Sequence, residues 1–258
     1  MPGRFPAVVL IEGSGGIGGN VDYWDRQFLS HGVATFTIDG FTGRGITSLV
    51  ADQSKLGLMN MILDLYRGLG VLAKHQRIDS ARVAVMGFSR GGIIALYSAM
   101  KRFQTAWNDS GVTPAAYIPL YPVCNFEFID ETDVAGGPIR IFHGAADDYA
   151  PIGPCLTYVQ RLKDAGGDAQ VTAPPDGTHA FDMPSLPSKP LFLPDAQKTD
   201  CVIVEDKSGA MIDEATGGPW SAADSCNGKG AHLAYSAEAT GVADAAVLAW
   251  LATVFKLK

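Results

Sequence analysis

The chain has 258 residues, of which 47% are hydrophobic and 18% are charged, and its formal net charge is −7 at pH 7. This balance is typical of a compact globular protein and excludes a disordered one. Lys and Arg are nowhere dense enough to neutralise a phosphate backbone, so we expect no nucleic-acid partner. No apolar run approaches the roughly 20 residues that a membrane-spanning helix needs, so we expect no membrane span.

Apolar segments alternate with helical patterns along most of the chain. The pattern predicts strands at residues 7–12, 33–39, 83–88, 115–121, 139–143 and 169–173, and helices at residues 21–31, 56–75, 91–103, 151–165 and 236–255. Near-continuous apolar strands that are separated by helices indicate a mostly parallel sheet with helices on both faces. We therefore predict an α/β fold and a single domain over residues 1–258.

Residues from about 183 to 232 break this alternation. The segment DCVIVEDKSGAMIDE inside this region predicts a small hairpin that turns at Lys207, Ser208 and Gly209. We interpret the region as an insertion before the last helix.

The four cysteines bear on the compartment. Cys201 and Cys226 bracket a polar, glycine-rich part of the insertion, whereas Cys124 follows one predicted strand and Cys155 opens the helix after the next. This arrangement indicates two disulfides and a periplasmic or secreted protein, although sequence does not determine the connectivity. The alternative is four buried free thiols and a cytoplasmic location. The first residues, MPGRFPAVVLI, show none of the regions of a signal peptide.

A serine motif lies between the predicted strand 83–88 and the helix that follows it. Residues 87–91 read GFSRG and fit the pattern G-x-S-x-G, in which a sharp strand-to-helix turn exposes a nucleophilic serine. We predict that Ser89 is this nucleophile and that the backbone N–H of Arg90 stabilises a developing oxyanion. The alternative is a glycine-rich turn with a purely structural role.

A serine hydroxyl needs a base and an acid that orients the base, and in this architecture they follow in the order serine, acid, histidine. The segment HGAADDYAP offers Asp147, which we favour, and Asp148, which we expect to cap the next helix. Histidine candidates are His143, which ends a strand, His179 in the loop after the last predicted strand, and His232 just before the last helix. We favour His179 because its connection to the sheet is the shorter one.

With VMGFSRGG, HGAADDYAP and DGTHAFD in place, the chain resembles the dienelactone hydrolase family of α/β-hydrolases from about residue 5 to the C-terminus, the insertion excepted. The resemblance implies that Gly13 supplies the second oxyanion N–H and that Glu12 lies beside Ser89. It also implies that Arg44 holds a substrate carboxylate or pairs with the glutamate. The alternatives are a loop-bracing glutamate and an exposed arginine.

Two features depart from the family pattern. The founding enzymes carry cysteine at the position of Ser89, and the insertion and the cysteine pairs are typical of an exported branch with a lid or wall over the site. Trp220, Phe181 and Phe192 are candidates for that wall, the alternative being that they form the insertion's own core.

These observations together predict a hydrolase that cleaves small-molecule carboxylic esters or lactones through an acyl-enzyme, with no metal and no organic cofactor. Two other functions stay open. One is an amidase or peptidase of the same fold, and the other is a non-catalytic binding module on the same scaffold. The sequence does not indicate the oligomeric state.

Overall fold

The computed structural model describes residues 3–257. The strands are β1 (Phe5–Ile11), β2 (Ala34–Ile38), β3 (Ile78–Phe88), β4 (Ala116–Leu120), β5 (Phe126–Glu127), β6 (Ile139–Phe142), β7 (Ala169–Thr172), β8 (Leu191–Thr199), β9 (Ile203–Glu205), β10 (Met211–Asp213) and β11 (Asn227–Leu233). The helices are α1 (Gly19–Ser30), α2 (Leu58–Ala73), α3 (Arg90–Tyr97), α4 (Lys101–Trp107), α5 (Gly153–Asp164) and α6 (Ala237–Val254).

The centre of the fold is a six-stranded sheet in the order β2-β1-β3-β4-β6-β7. Each neighbouring pair in this order is parallel, which confirms the predicted sheet. Residues of α2, α3 and α5 pack on one face of the sheet, and residues of α1 and α6 pack on the other. Because the strands are parallel, the loops that follow them collect at one edge of the sheet, where ligand sites of open α/β sheets lie.

The helix predicted at residues 91–103 is in fact two helices, α3 and α4. The chain leaves helical geometry at Met100, which pairs with Val134 in an isolated bridge, and Lys101 N–H donates to the Asp133 carbonyl. This tertiary pairing with a distant segment competes with continuation of the helix. Helix α4 lies beside the insertion, where its Arg102 pairs with Glu205.

The insertion contains more regular structure than the sequence indicates. The predicted hairpin is present as β9 and β10, an antiparallel pair whose turn contains Gly209 at a positive φ of 85°. Strands β8 and β11 form a second antiparallel ribbon, and β5 pairs with β9 in parallel. The sequence analysis missed β8 and β11 because most residues of β8 are exposed or half-buried and show no alternating apolar pattern.

All four cysteines are in disulfides, and the bonds join Cys124 to Cys155 and Cys201 to Cys226. The first links the chain after β4 to α5, and the second closes the middle of the insertion. Two disulfides are consistent with a location outside the cytoplasm.

The last helix is more apolar than its surroundings. Within the described chain, α6 is the one helix whose length and mean hydropathy of 1.3 would permit it to cross a bilayer. Core helices of soluble proteins have the same composition, and the buried side chains of α6 join the cluster under the sheet. The apolar composition is therefore weak evidence for a membrane helix.

Candidate active site

Ser89 occupies a sharp turn between β3 and α3. Its φ of 54° and ψ of −113° are rare for a residue with a side chain. A Cβ on Gly87 would lie 1.9 Å from the Gly91 carbonyl oxygen, and a Cβ on Gly91 would lie 2.2 Å from the Ile11 carbonyl oxygen. The two glycines of the motif are thus required by close backbone contacts, and they allow the turn that exposes the serine.

Ser89, His179 and Asp147 form a continuous hydrogen-bonded chain. The Ser89 Oγ lies 2.8 Å from His179 Nε2, and His179 Nδ1 lies 2.7 Å from Asp147 Oδ2. An ionised carboxylate only accepts hydrogen bonds, so Nδ1 carries the proton and Nε2 is free to accept the Ser89 hydroxyl. The structure therefore brings Ser89, His179 and Asp147, the three residues that the sequence analysis favoured, into one hydrogen-bonded chain.

The Asp147 carboxylate is held from both sides. Its Oδ1 accepts the backbone N–H groups of Tyr149 and Ala150, each at 2.9 Å. Burial would raise its pKa, but the charges and hydrogen bonds of His179 and His143 outweigh burial and hold the pKa of Asp147 well below its usual range. Asp147 is thus ionised and fixed at neutral pH.

The other candidates from the sequence make contacts of a different kind. His143 is fully buried, lies 2.6 Å from the Ala150 carbonyl oxygen through Nε2, and reaches Asp147 at 3.5 Å, so it supports the acid. His232 pairs with Asp148, with 2.7 Å between Nδ1 and Oδ2, and its backbone N–H donates to the same carboxylate. Asp148 therefore joins strand β11 to the loop that follows β6 instead of capping α5.

Gly13 and Arg90, whose N–H groups the sequence analysis predicts as oxyanion donors, both lie next to Ser89. Arg90 is the first residue of α3, a position at which the N–H has no acceptor within the helix. Gly13 follows β1, and a Cβ built on it would lie 3.5 Å from the Ser89 Cβ. Both residues are therefore close enough to Ser89 for their N–H groups to serve as the predicted donors.

Glu12 and Arg44 each bond to a partner other than one another. Glu12 is 1% exposed, and its carboxylate accepts the Gly40 N–H at 2.8 Å. Burial raises the pKa of Glu12 to about 7, although the backbone hydrogen bond from Gly40 opposes the shift. Arg44 pairs with Asp64 at 2.7 Å and donates to the Gly40 carbonyl. In the described chain the hydrogen-bond partner of the Ser89 hydroxyl is His179, and Glu12 braces the loop at Gly40.

The side chain of Arg90 is a feature that the sequence analysis missed. Its guanidinium is buried and donates to Gln53 Oε1 at 2.8 Å and to the Leu56 carbonyl, which are neutral acceptors. Burial lowers the pKa of Arg90 to about 10, so the group is still cationic at neutral pH. Arg90 thus places a buried positive charge in the wall of the cavity that also contains Ser89.

Gln53 links three parts of the site. Its Oε1 also accepts the Ser14 hydroxyl at 3.0 Å, and its backbone N–H donates to Gln197 Oε1 of strand β8 at 2.8 Å. The loop after β1 and Arg90 therefore share the Gln53 side chain, and the insertion bonds to the backbone of the same residue. No sequence pattern marks Gln53, because its partners come from distant segments.

A second missed cluster lies behind His179. Tyr121 packs on the His179 ring with 4.8 Å between centroids, and its hydroxyl donates to Asp182 Oδ1 at 2.6 Å. Trp24 Nε1 donates to the other carboxylate oxygen at 2.7 Å. Asp182 is fully buried, and burial raises its pKa to about 6 against these two hydrogen bonds. The cluster fixes one face of the histidine, and Tyr149 covers another at 4.6 Å.

A cavity of about 820 Å³ opens at Ser89 and His179. Its walls come from the start of α2, from α4, from the chain around β5 and from the insertion. Of the three aromatic residues considered for a wall, Trp220 lines this cavity, Phe181 is buried in the main core, and Phe192 is 53% exposed. The insertion is thus one wall of the site.

Metal-ligand side chains cluster at one place among residues 3–257, at Cys201, Asp213 and Cys226. The two sulfur atoms are bonded to each other, so they do not offer a thiolate pair to a metal ion.

A parallel sheet with a strained serine turn after its third strand defines the α/β-hydrolase fold. The chain belongs to the dienelactone hydrolase family, whose family model matches residues 1–200. It is 25% identical over 202 residues to a "Putative carboxymethylenebutenolidase" of Yersinia pestis, and the match covers 72% of each chain.

Solved structures show the same fold. One is a "Putative Dienelactone Hydrolase" from Klebsiella pneumoniae, with a TM-score of 0.62 and 16% identity over 98% of this chain and 88% of the other. Another is the apo form of esterase 2 from Thermogutta terrifontis, with a TM-score of 0.54 and 18% identity over 69% of this chain and 75% of the other. Family membership supports a hydrolase that acts on a small molecule.

Proposed function

We propose that the protein is a serine hydrolase that cleaves carboxylic esters or lactones through an acyl-enzyme. The observation that carries the proposal is the hydrogen-bonded chain from Ser89 Oγ through His179 to Asp147 at the mouth of an apolar cavity. A hydroxyl so placed becomes nucleophilic when Nε2 takes its proton.

In the proposed reaction, the Ser89 oxygen attacks the substrate carbonyl while His179 accepts the hydroxyl proton. The carbonyl electrons move to the oxygen, which the Arg90 and Gly13 N–H groups bind, and the Arg90 guanidinium lowers the energy of the negative charge. The imidazolium, held by Asp147, then protonates the leaving alcohol. Water, deprotonated by the same histidine, releases the acid and regenerates the serine. Each step uses only this chain's own groups and water.

The remaining parts of the proposal concern organisation and location. Residues 1–258 form one catalytic domain, in which the insertion is a wall of the site. The two disulfides support a periplasmic or secreted protein. Glu12 holds the loop that carries Gly13, and Arg44 stabilises the neighbouring loop through Asp64.

The test is turnover of 4-nitrophenyl acetate by the purified protein and by Ser89→Ala. We expect hydrolysis by the wild type, loss of at least 10³-fold in kcat for the variant, and unchanged unfolding curves. Equal rates for both proteins would overturn the mechanism. The matched amide, 4-nitroacetanilide, separates the esterase from the amidase, since the amidase predicts comparable turnover of the amide.

A further inference from the structure

The cavity is larger than a short ester requires. A volume of about 820 Å³ lies in the upper part of the range for sites that enclose drug-sized ligands, roughly 300–1,000 Å³. An acetyl group would leave most of this space unfilled. The size indicates a substrate with a bulky group on one side of the scissile bond.

Aromatic side chains from several elements line the cavity. Phe103 and Trp107 of α4 stack with 5.0 Å between ring centroids, and Phe126 and Phe128 stack at 6.0 Å. Trp220 of the insertion also lines the cavity. Flat rings from separate elements favour an aromatic guest, because ring pairs gain from offset-stacked and edge-to-face contacts that an alkyl chain does not make.

The insertion that carries Trp220 is fixed to the rest of the fold. Arg102 of α4 donates to both carboxylate oxygens of Glu205, at 3.1 and 2.5 Å, and Glu205 also accepts the Ile129 N–H. Strand β9 pairs with β5, and the Cys201–Cys226 disulfide closes the insertion. The cavity is therefore pre-formed, and a pre-formed cavity selects its ligand by shape.

The aromatic chamber is the part of the cavity that is lined by Phe103, Trp107, Phe126, Phe128 and Trp220. We propose that this chamber binds a bulky aryl group, of naphthyl size or larger, on the ester that Ser89 cleaves, and that Trp220 determines this specificity. The inference rests on the proposed function and adds the substrate class to it. Turnover of small esters does not depend on the chamber.

The experiment measures kcat/KM for two series of esters. The first varies the acyl group of 4-nitrophenyl esters and contains the acetate, the decanoate and the 3-(2-naphthyl)propanoate. The second varies the alcohol and contains the acetates of ethanol and of 2-(2-naphthyl)ethanol. We expect that kcat/KM for at least one naphthyl ester is higher than kcat/KM for the small ester of the same series and for the decanoate. Trp220→Ala should reduce kcat/KM for that ester, through KM, roughly 10- to 100-fold more than it reduces kcat/KM for 4-nitrophenyl acetate.

Two further variants sharpen the comparison. Ala106→Trp fills the chamber from an exposed position on α4 and should block the naphthyl ester while the acetate is still cleaved. Phe192→Ala is the matched control, because Phe192 lies on the same insertion but outside the cavity wall. It should leave both rates unchanged.

The outcomes separate the two proposals. If 4-nitrophenyl acetate is hydrolysed but the decanoate matches or exceeds both naphthyl esters, the aryl inference is wrong and the esterase stands. Equal losses for the acetate and the naphthyl ester in Trp220→Ala would also overturn it, because Trp220 would then have a structural role. If the wild type cleaves no ester, the proposed function fails, and the inference with it.

Discussion

The substitution Asp147→Asn tests how the acid controls the histidine. Asp147 Oδ1 accepts two backbone N–H groups, from Tyr149 and Ala150. An asparagine must keep its carbonyl oxygen toward these donors, so its NH₂ group faces His179 Nδ1. Nδ1 then becomes an acceptor and the ring proton moves to Nε2, where it blocks acceptance of the Ser89 proton.

A wrong tautomer of this kind lowers kcat by about 10⁴-fold, which corresponds to about 5.4 kcal/mol at the transition state. The geometry explains why the effect is on kcat. The side-chain volume is conserved, both backbone hydrogen bonds to Oδ1 remain, and the cavity that binds the substrate is untouched.

The assay is steady-state hydrolysis of 4-nitrophenyl acetate by the wild type, Asp147→Asn and Asp148→Asn. Asp148→Asn is the matched control, because it makes the same chemical change on the adjacent residue, which faces His232 at the surface. We expect activity within about threefold of wild type for the control, since exposed ion pairs contribute little. A kcat for Asp147→Asn within tenfold of wild type would refute the tautomer argument.

Three further predictions concern stability and the network at the oxyanion site. Gln53→Leu removes the acceptor that the Ser14 hydroxyl and the Arg90 guanidinium share, so kcat should fall at least roughly tenfold. Gln53→Glu keeps the acceptor and should keep the activity. Equal kcat for the wild type and both variants would contradict this prediction. Asp182 has a pKa raised to about 6 in the folded protein, so the native state binds its proton more tightly than the unfolded chain does. Its contribution to stability is complete below about pH 4 and is lost as the pH rises through 6. The unfolding free energy of the wild type minus that of Asp182→Asn should therefore fall by about 3 kcal/mol between pH 3 and 7 in urea titrations, and a difference that rises with pH would refute the assignment. Replacing Cys201 and Cys226 by serine opens a cross-link with a sequence separation of 25 and should lower the unfolding free energy by roughly 3.5 kcal/mol, an effect that an unchanged urea midpoint would rule out.

The sequence predicted the sheet because each central strand is a nearly unbroken apolar run, and such runs have few other structures open to them. The serine turn was also predictable, because close backbone contacts at Gly87 and Gly91 leave a signature in the residue types. Ser89, Asp147 and His179 followed from chain order and from their positions after strands. Local sequence patterns were therefore sufficient to predict the central sheet and the chain order of Ser89, Asp147 and His179.

Other features depend on contacts between distant segments, which local patterns do not encode. Gln53 became important only when the fold placed it between Ser14, Arg90 and Gln197. The interruption of the helix at Met100 follows from the pairing of this residue with Val134.

The same holds for residues whose role the family resemblance suggested. Glu12 and Arg44 have carboxylate and guanidinium groups suited to a mutual pair. In the fold, however, Glu12 finds the Gly40 N–H and Arg44 finds Asp64. Residue type constrained what these side chains do, and the tertiary structure decided which partner each one has.

The central claim is that His179 activates Ser89, and covalent labelling tests it most directly. The folded protein is incubated with a fluorophosphonate probe, and the modified peptide is identified by mass spectrometry. The account predicts one modification, at Ser89, that is lost in Ser89→Ala and strongly slowed in His179→Ala. Absence of labelling in the folded wild-type protein, or equal labelling rates with and without His179, would contradict it.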